Sequence, residues 1–322
     1  MSQLPLLPFT LVNAFAPTPH AGNPASVVLF PKNDPRAEDN DDYFVTLARD
    51  FNLSETVFLS PIHAEDVIPQ YSIRWFTPTV EVPLCGHGTA AAANVLFTLH
   101  PQAIRVHLQT RERGQLAATL EGTANGDKAV LVGLDLPIAP PREVDAAEHA
   151  DIAAAVCGIA WFSPEHIVRI ATFGDRSVIV QVDERVRIGE LAVDASKFLP
   201  KFPHHVVVTQ LLPPPDDTVT GTDPVVHAAC RVFAPAHGVD EDPVTGAVWA
   251  VLTGYYLSGP ASADAQALLP RGHPVADATL DAHQLSKRGG QLTCTLTGEG
   301  RAKVVGKTWR TGKGFLEVFD EE

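Results

Sequence analysis

Two stretches far apart in this chain follow one plan. "FTPTVEVPLCGHGTAAAANVLF" (Phe76 to Phe97) and "FAPAHGVDEDPVTGAVWAVL" (Phe233 to Leu252) each open on the end of a strand-like run. Each passes through Phe-x-Pro, reaches a thiol or acidic residue, turns through Gly and Thr, and enters an apolar helical run. Both intervals to the reactive residue are nine residues, Phe76 to Cys85 and Phe233 to Asp242. A pattern that recurs in the same order at this scale reads as an internal duplication. It predicts two similarly built halves rather than one continuous core.

The bulk properties fit that plan. The chain has 322 residues, enough for two medium domains. Its residues are 45% hydrophobic and only 19% charged, which supplies a core and excludes a disordered chain. A formal net charge of −14 gives no basic face to displace counterions, so a nucleic-acid partner is not expected. A small anionic ligand remains open, because a few local donors can outweigh the global charge. Cys85, Cys157, Cys230 and Cys294 are scattered singly, without the C-x-x-C spacing of a structural zinc site. Four isolated thiols in a long chain point to a reducing, cytoplasmic setting. The opening "MSQLPLLPFTLVNAF" lacks a basic n-region and reads as the lead-in to a strand. No run approaches the roughly 20 apolar residues of a membrane span, so no membrane partner is expected.

Strands are predicted at Phe9–Phe15, Ala25–Phe30, Thr56–Leu59 and Tyr71–Thr77, with a hairpin across Arg111–Gly114. Phe44, Leu47, Ala48 and Phe51 follow the i, i+3, i+4, i+7 rule of an amphipathic helix. "ANGD" (Ala124 to Asp127) carries an Asn-Gly turn signal and marks the expected boundary. In the second half, "DAAEHADIAAAVCG" reads as a helix closed by Gly158, and "SVIVQV" and "HHVVVTQ" as strands. "PPPDDTVTGTDP" (Pro213 to Pro224) reads as a long surface loop, and "GGQLTCTL", "AKVVGKTWR" and "GFLEVF" as closing strands. The expected domains are 1–125, with the strand 314–322 as a candidate completion, and 126–313. The absence of strand–GxGxxG–helix and GxxxxGK[ST] units leaves no support for a dinucleotide or P-loop site.

The two helix mouths carry the chemistry. The first turn of a helix has backbone N–H groups without intrahelical partners and a partial positive charge. With glycines to admit a ligand, such a mouth binds carboxylate without any lysine. Side chains just ahead of the mouth then stand beside the carbon next to the carboxylate, where an α-proton is moved. His87 titrates near neutrality in its ordinary state and is a proton-transfer candidate, and Asp242 is placed to orient it or bind a substrate amine or hydroxyl. The competing reading makes His87 a helix cap and Asp242 a turn residue before proline. Cys85 is either a small buried side chain or, at an exposed helix mouth, an activated thiol. Glu55, flanked by Leu53 and Val57 in "LSETVFL", is a partly desolvated carboxylate of the sort used in general acid/base work, or else a solvated turn residue.

With "GNPASVVLF", "NLSETVFL", "IRWFTPTVEVPLCGHGT", "RVFAPAHGVDEDPVTGA" and "KRGGQL" in this order, the sequence resembles the PhzF family of phenazine-biosynthesis-type isomerases, of the diaminopimelate-epimerase-like fold. The resemblance implies an α+β fold of two similar halves. Each would be a curved, barrel-like mixed sheet around a central helix, with the site in the cleft between them. It implies that Glu55 of S-E-T is the acid/base and that His87 and Asp242 position the substrate. Backbone around Gly86, His87, Gly88, Gly246 and Ala247, with Cys85 beside it, would hold a small carboxylate substrate. The implied reaction is a cofactor-free proton shift on an amino or hydroxy acid, without metal, in a homodimer. Two positions depart from the pattern. Ala247 stands where phenazine enzymes place Ser, which removes one donor. "CGHGT" is similar to the thiol mouth of proline racemase and diaminopimelate epimerase, which need a second thiol facing the first. The place matched by equal spacing is Asp242, and Cys230 lies on a predicted strand, so a thiol-based racemase using Cys85 lacks its partner. "SKRGGQL" is also similar to animal and fungal PhzF-like proteins, which supports a further alternative, a non-catalytic interaction protein that retains the cleft.

Overall fold

The computed structural model describes residues 6–37, 40–124, 129–160, 162–174, 176–199, 201–202, 204–214, 224–298 and 300–317. The chain divides into two compact units, Met1–Asp135 with Val305–Glu322, and Leu136–Val304. The expected boundary at 125/126 and most of the 213–224 loop lie outside the described residues.

The first unit contains β1 (Leu7–Ala14), β2 (Asn23–Leu29), β3 (Glu55–His63), β4 (Gln70–Phe76), β5 (Glu81–Val82), β6 (Arg105–Gln109), β7 (Gln115–Ala124) and β8 (Ala129–Pro137). Its helices are α1 (Asp41–Phe51) and α2 (Gly86–Leu99). The second contains β9 (Arg142–Glu143), β10 (Ile167–Phe173), β11 (Ser177–Val182), β12 (Val206–Leu212), β13 (Val225–Ala234), β14 (Val239–Asp242), β15 (Thr279–Gln284) and β16 (Gly290–Gly298). Its helices are α3 (Ala146–Ala160), α4 (Gly246–Leu257) and α5 (Ser262–Gln266), and β17 (Arg301–Leu316) carries the chain back into the first unit.

In the first unit β1, β2, β3, β4, β6, β7, β8 and β17 pair in a closed ring, which leaves no sheet edge. The pairs β2–β3 and β4–β6 are parallel, and α2 is the crossover of the second. Helix α2 packs on β1, β2, β3, β6 and β7 and is buried from Gly86 to Phe97. A helix apolar on every side belongs inside a core. An eight-stranded barrel has interior room for little more than side chains, and the run Ala90–Ala93, fully inaccessible, keeps this helix thin enough to fit. Among the polar residues of this helix, Asn94 donates to Thr308 Oγ1 at 2.8 Å, and Thr308 donates to the Val130 carbonyl at 2.8 Å. Outside the barrel the predicted periodic face of α1 is present: Phe44 stacks on Phe58, with ring centroids 4.4 Å apart, and meets Phe76 edge-on at 5.3 Å.

In the second unit β10, β11, β12, β13, β15 and β16 repeat the order and directions of β1, β2, β3, β4, β6 and β7. Its sheet runs β9-β10-β11-β12-β13-β15-β16, with β11–β12 and β13–β15 parallel. Helix α4 is the crossover between β13 and β15, as α2 is between β4 and β6. It too is buried along nearly all its length.

Two local expectations are corrected. Gly158 does not close α3; the helix continues to Ala160, and a Cβ at Gly158 would meet nothing within 4 Å, so the glycine marks a solvent-facing position. The two closing strands are one strand, β17, which runs through the position 314 where a separate strand was expected. Gly312 and Gly314 serve packing: a Cβ at Gly314 would lie 2.7 Å from the Phe9 ring and one at Gly312 would lie 3.2 Å from Leu11. Among the described residues, no helix is long and apolar enough to cross a membrane.

Candidate active site

The first helix mouth is held by a bracket. Arg74 on β4 makes an ion pair with Glu81 on β5 at 2.8 Å, and its guanidinium lies 5.0 Å over the Phe76 ring. Phe76 pairs with Glu81 in the β4–β5 ladder. The chain then reaches Cys85, which caps α2. Its backbone is extended (φ −137, ψ 113) and its Sγ accepts from the Gly88 N–H at 3.4 Å. Gly88 is required by close approach: a Cβ there would lie 2.9 Å from Trp75, 3.0 Å from Val57 and 3.3 Å from Cys85 Sγ. The cap therefore engages the Gly88 N–H, one of the donors assigned to substrate from sequence.

Glu55, Cys85 and His87 come together at this mouth. They are 3%, 8% and 6% exposed, and one ligand atom from each lies within 4.8 Å of the other two. Glu55 is the first residue of β3, not a solvated turn residue. Cys85 Sγ is 3.3 Å from His87 Nδ1. Two side chains not singled out from sequence complete the set. Ser54 Oγ is 2.7 Å from Asn23 Oδ1, the Asn23 amide nitrogen is 3.2 Å from His87 Nδ1, and Ser54 Oγ is 3.4 Å from His87 Nε2. With Asn23 Oδ1 accepting from Ser54, the Asn23 amide donates to Nδ1. That makes Nδ1 an acceptor and puts the ring proton on Nε2, toward Ser54.

Burial holds His87 well below the usual histidine range, at about 3. The imidazole is therefore neutral at pH 7, which corrects the expectation of a group titrating near neutrality. Its contribution is a fixed donor and a fixed acceptor.

The second mouth has the same bracket. Arg231 on β13 meets Glu241 on β14 at 2.7 Å and lies 5.1 Å over the Phe233 ring, and Phe233 pairs with Glu241. The helix cap is Thr245. From Phe76 to the cap is nine residues and from Phe233 to the cap is twelve, and the extra residues sit between Phe233 and Glu241. There the chain makes a turn at Pro235–His237, closed by Gly238 with φ 77. The bracket and cap thus match "EVPLCGH" to "EDPVTGA" without a gap, so Thr245 corresponds to Cys85, Val82 to Asp242 and Ala247 to His87. Equal spacing from the phenylalanines had paired Cys85 with Asp242; the inserted turn makes that pairing wrong by three residues. The thiol of Cys230, fully inaccessible on β13, is pushed well up by burial, so it is no partner base for Cys85.

Asp242 ends β14 and accepts from Thr245 Oγ1 at 2.5 Å. Both are ordered by Gln284, at the end of β15 and fully inaccessible. Its Oε1 accepts from the Thr245 N–H at 2.9 Å and from Trp249 Nε1 at 3.1 Å, and its amide donates to the Asp242 carbonyl at 2.7 Å. Gly246 is buried at the helix start and Ala247 is exposed. The Gly-Gly of "KRGGQL" also finds its reason here. A Cβ at Gly290 would lie 2.1 Å from Val244, so only glycine lets β16 pass under the loop.

A closed barrel wrapped around a buried helix has the α+β architecture of the diaminopimelate-epimerase-like fold. The family model for "Phenazine biosynthesis-like protein" matches residues 12–313, and the chain belongs to that family. It is 30% identical to "Phenazine biosynthesis-like domain-containing protein 1" of Mus musculus, over 93% of this chain and 95% of the mouse protein. It is 32% identical to an "Uncharacterized isomerase" of Pseudomonas aeruginosa, over 97% and 99% of the two chains. The crystal structure of a PhzF family protein of Enterococcus faecalis superposes with a TM-score of 0.72 at 27% identity, covering 98% of this chain and all of that one.

Proposed function

We propose that this chain is a cofactor-independent isomerase or epimerase that shifts a proton on a small amino or hydroxy carboxylic acid, with Glu55 as general acid and base. The observation that carries this reading is the convergence of Glu55, His87 and Cys85 at the buried mouth of α2. A buried carboxylate, 3% exposed, acts in a low dielectric, where its interaction with developing charge is strong. In this reading Glu55 takes the proton from carbon and returns it at another position. His87, neutral and held by Asn23 and Ser54, positions the substrate by exchanging one of these two hydrogen bonds for a polar group of the substrate. Backbone at Gly86 binds the substrate carboxylate at the positive end of the helix. Asp242, with Gly246 and Ala247, is assigned to substrate positioning, and the working unit to a homodimer.

Support comes from family membership and from the relative named an isomerase. The test is to incubate the protein with a panel of small amino and hydroxy acids in D2O and follow C–H exchange by NMR. Exchange in at least one acid, first-order in protein, is expected. A panel with no exchange, together with a captured protein partner whose binding survives mutation of Glu55, His87 and Asp242, would replace this reading with the interaction one.

A further inference from the structure

The same three side chains that serve the proposed proton shift form a chelate. We infer that Glu55, Cys85 and His87 bind a thiophilic divalent cation of the zinc type, and that this cation is an inhibitor of the site. The binding stands on the resting geometry of these residues, while the inhibition rests on the isomerase reading, in which Glu55 is the base. One carboxylate, one thiol and one imidazole are donor types zinc takes, and three protein ligands are enough to hold one ion. Their ligand atoms lie within 4.8 Å of one another, close enough to share one ion after small side-chain rotations. The Sγ–Nδ1 distance is already 3.3 Å.

The hydrogen bonds orient the ligands. His87 Nδ1, the nitrogen facing Cys85, carries the lone pair, while Nε2 gives its proton to Ser54 Oγ at 3.4 Å. A metal-bound histidine almost always donates its other N–H in this way. The Gly88 N–H, 3.4 Å from Sγ, stabilises a thiolate. On binding, the S–H bond breaks, the sulfur–metal bond forms and one proton leaves to solvent. The Asn23–Nδ1 hydrogen bond is exchanged for the nitrogen–metal bond. Glu55 then holds the cation and no longer serves as a base, so inhibition follows from occupancy and is reversed by a chelator.

Cobalt(II) is the probe, titrated into the full chain without substrate and read by thiolate-to-cobalt charge-transfer absorption. One ion per chain, release of about one proton and displacement by zinc are expected. Cys85→Ser should abolish the band, and His87→Gln should weaken binding by more than the 10–100-fold typical of an outer-shell change. X-ray absorption on the zinc-loaded natural chain needs no variant. It should show one sulfur at about 2.3 Å with nitrogen and oxygen at about 2.0–2.2 Å. Absence of the band at millimolar cobalt, a band unchanged in Cys85→Ser, or a zinc shell without sulfur overturns the inference. The D2O exchange assay is run in chelator, so that reading and this one fail separately.

Discussion

The two helix mouths are built on one frame and finished differently. Both carry an arginine that pairs with a glutamate and lies over a phenylalanine, Arg74–Glu81–Phe76 and Arg231–Glu241–Phe233. Both start the helix with a backbone bond from the fourth residue back to the cap, Thr89 to Cys85 and Trp249 to Thr245. The first mouth adds a thiol, an imidazole and a carboxylate, all buried. The second adds a threonine, a carboxylate and an inaccessible amide, Gln284, that ties cap, strand and helix together. The frame supplies rigidity to both, while the ionisable chemistry is concentrated in one. That division predicts that substitutions at the first mouth change reactivity and substitutions at the second change stability and substrate affinity.

The largest expected effect is on the first mouth. Glu55→Gln should lower exchange about 10²–10⁴-fold, the usual span for a positioned acid or base, with the fold intact by circular dichroism. Next comes the second mouth. Gln284→Leu strands the Thr245 N–H, the Trp249 indole and the Asp242 carbonyl, and should destabilise the chain by about 3 kcal/mol or more in urea unfolding. An unchanged midpoint would remove Gln284 from the account. Gly290→Ala drives a methyl into Val244 and should cost about 1–3 kcal/mol, recovered in part by Val244→Ala in the same chain.

The pH dependence separates the mouths further. The folded pKa of His87, about 3, lies below its ordinary value of 6.5, so the unfolded chain binds the extra proton first. The stability this protects is fully present above pH 6.5 and is lost as pH falls toward 3. His87→Gln should flatten that part of the stability profile, and a profile identical to the natural chain's would contradict a buried neutral imidazole. The smallest effect is expected at Cys85. Cys85→Ser should reduce exchange by less than about tenfold, since a hydroxyl can still cap α2. Complete loss of exchange would favour a thiol-based reaction instead.

The fold was legible because its signals are local. Alternation and turn residues set the strands, the all-apolar runs after Gly86 and Gly246 set two core helices, and the duplication set two halves. Glu55 and His87 were legible through the strings around them, "LSETVFL" and "CGHGT". What escaped was long-range. Asn23 and Ser54 read as turn residues ahead of strands, and only folding brings them to an imidazole 64 and 33 residues away. Gln284 is a lone amide at a strand end, 39 residues from the cap it braces. The equal nine-residue spacing misaligned Cys85 with Asp242, because a turn inserted after Phe233 leaves the pairing of Phe233 with Glu241 intact. Counting residues from the phenylalanine cannot detect such an insertion; strand pairing can.

The central claim, that Glu55 at the first mouth is the base, is tested most directly by one comparison. The natural chain and Glu55→Gln are given the same exchanging acid in D2O, in chelator, and the rate of deuterium entry at carbon is measured for each. The account predicts that the variant, folded and still able to bind the acid, incorporates deuterium at least about a hundredfold more slowly. Equal rates in the two proteins would contradict it.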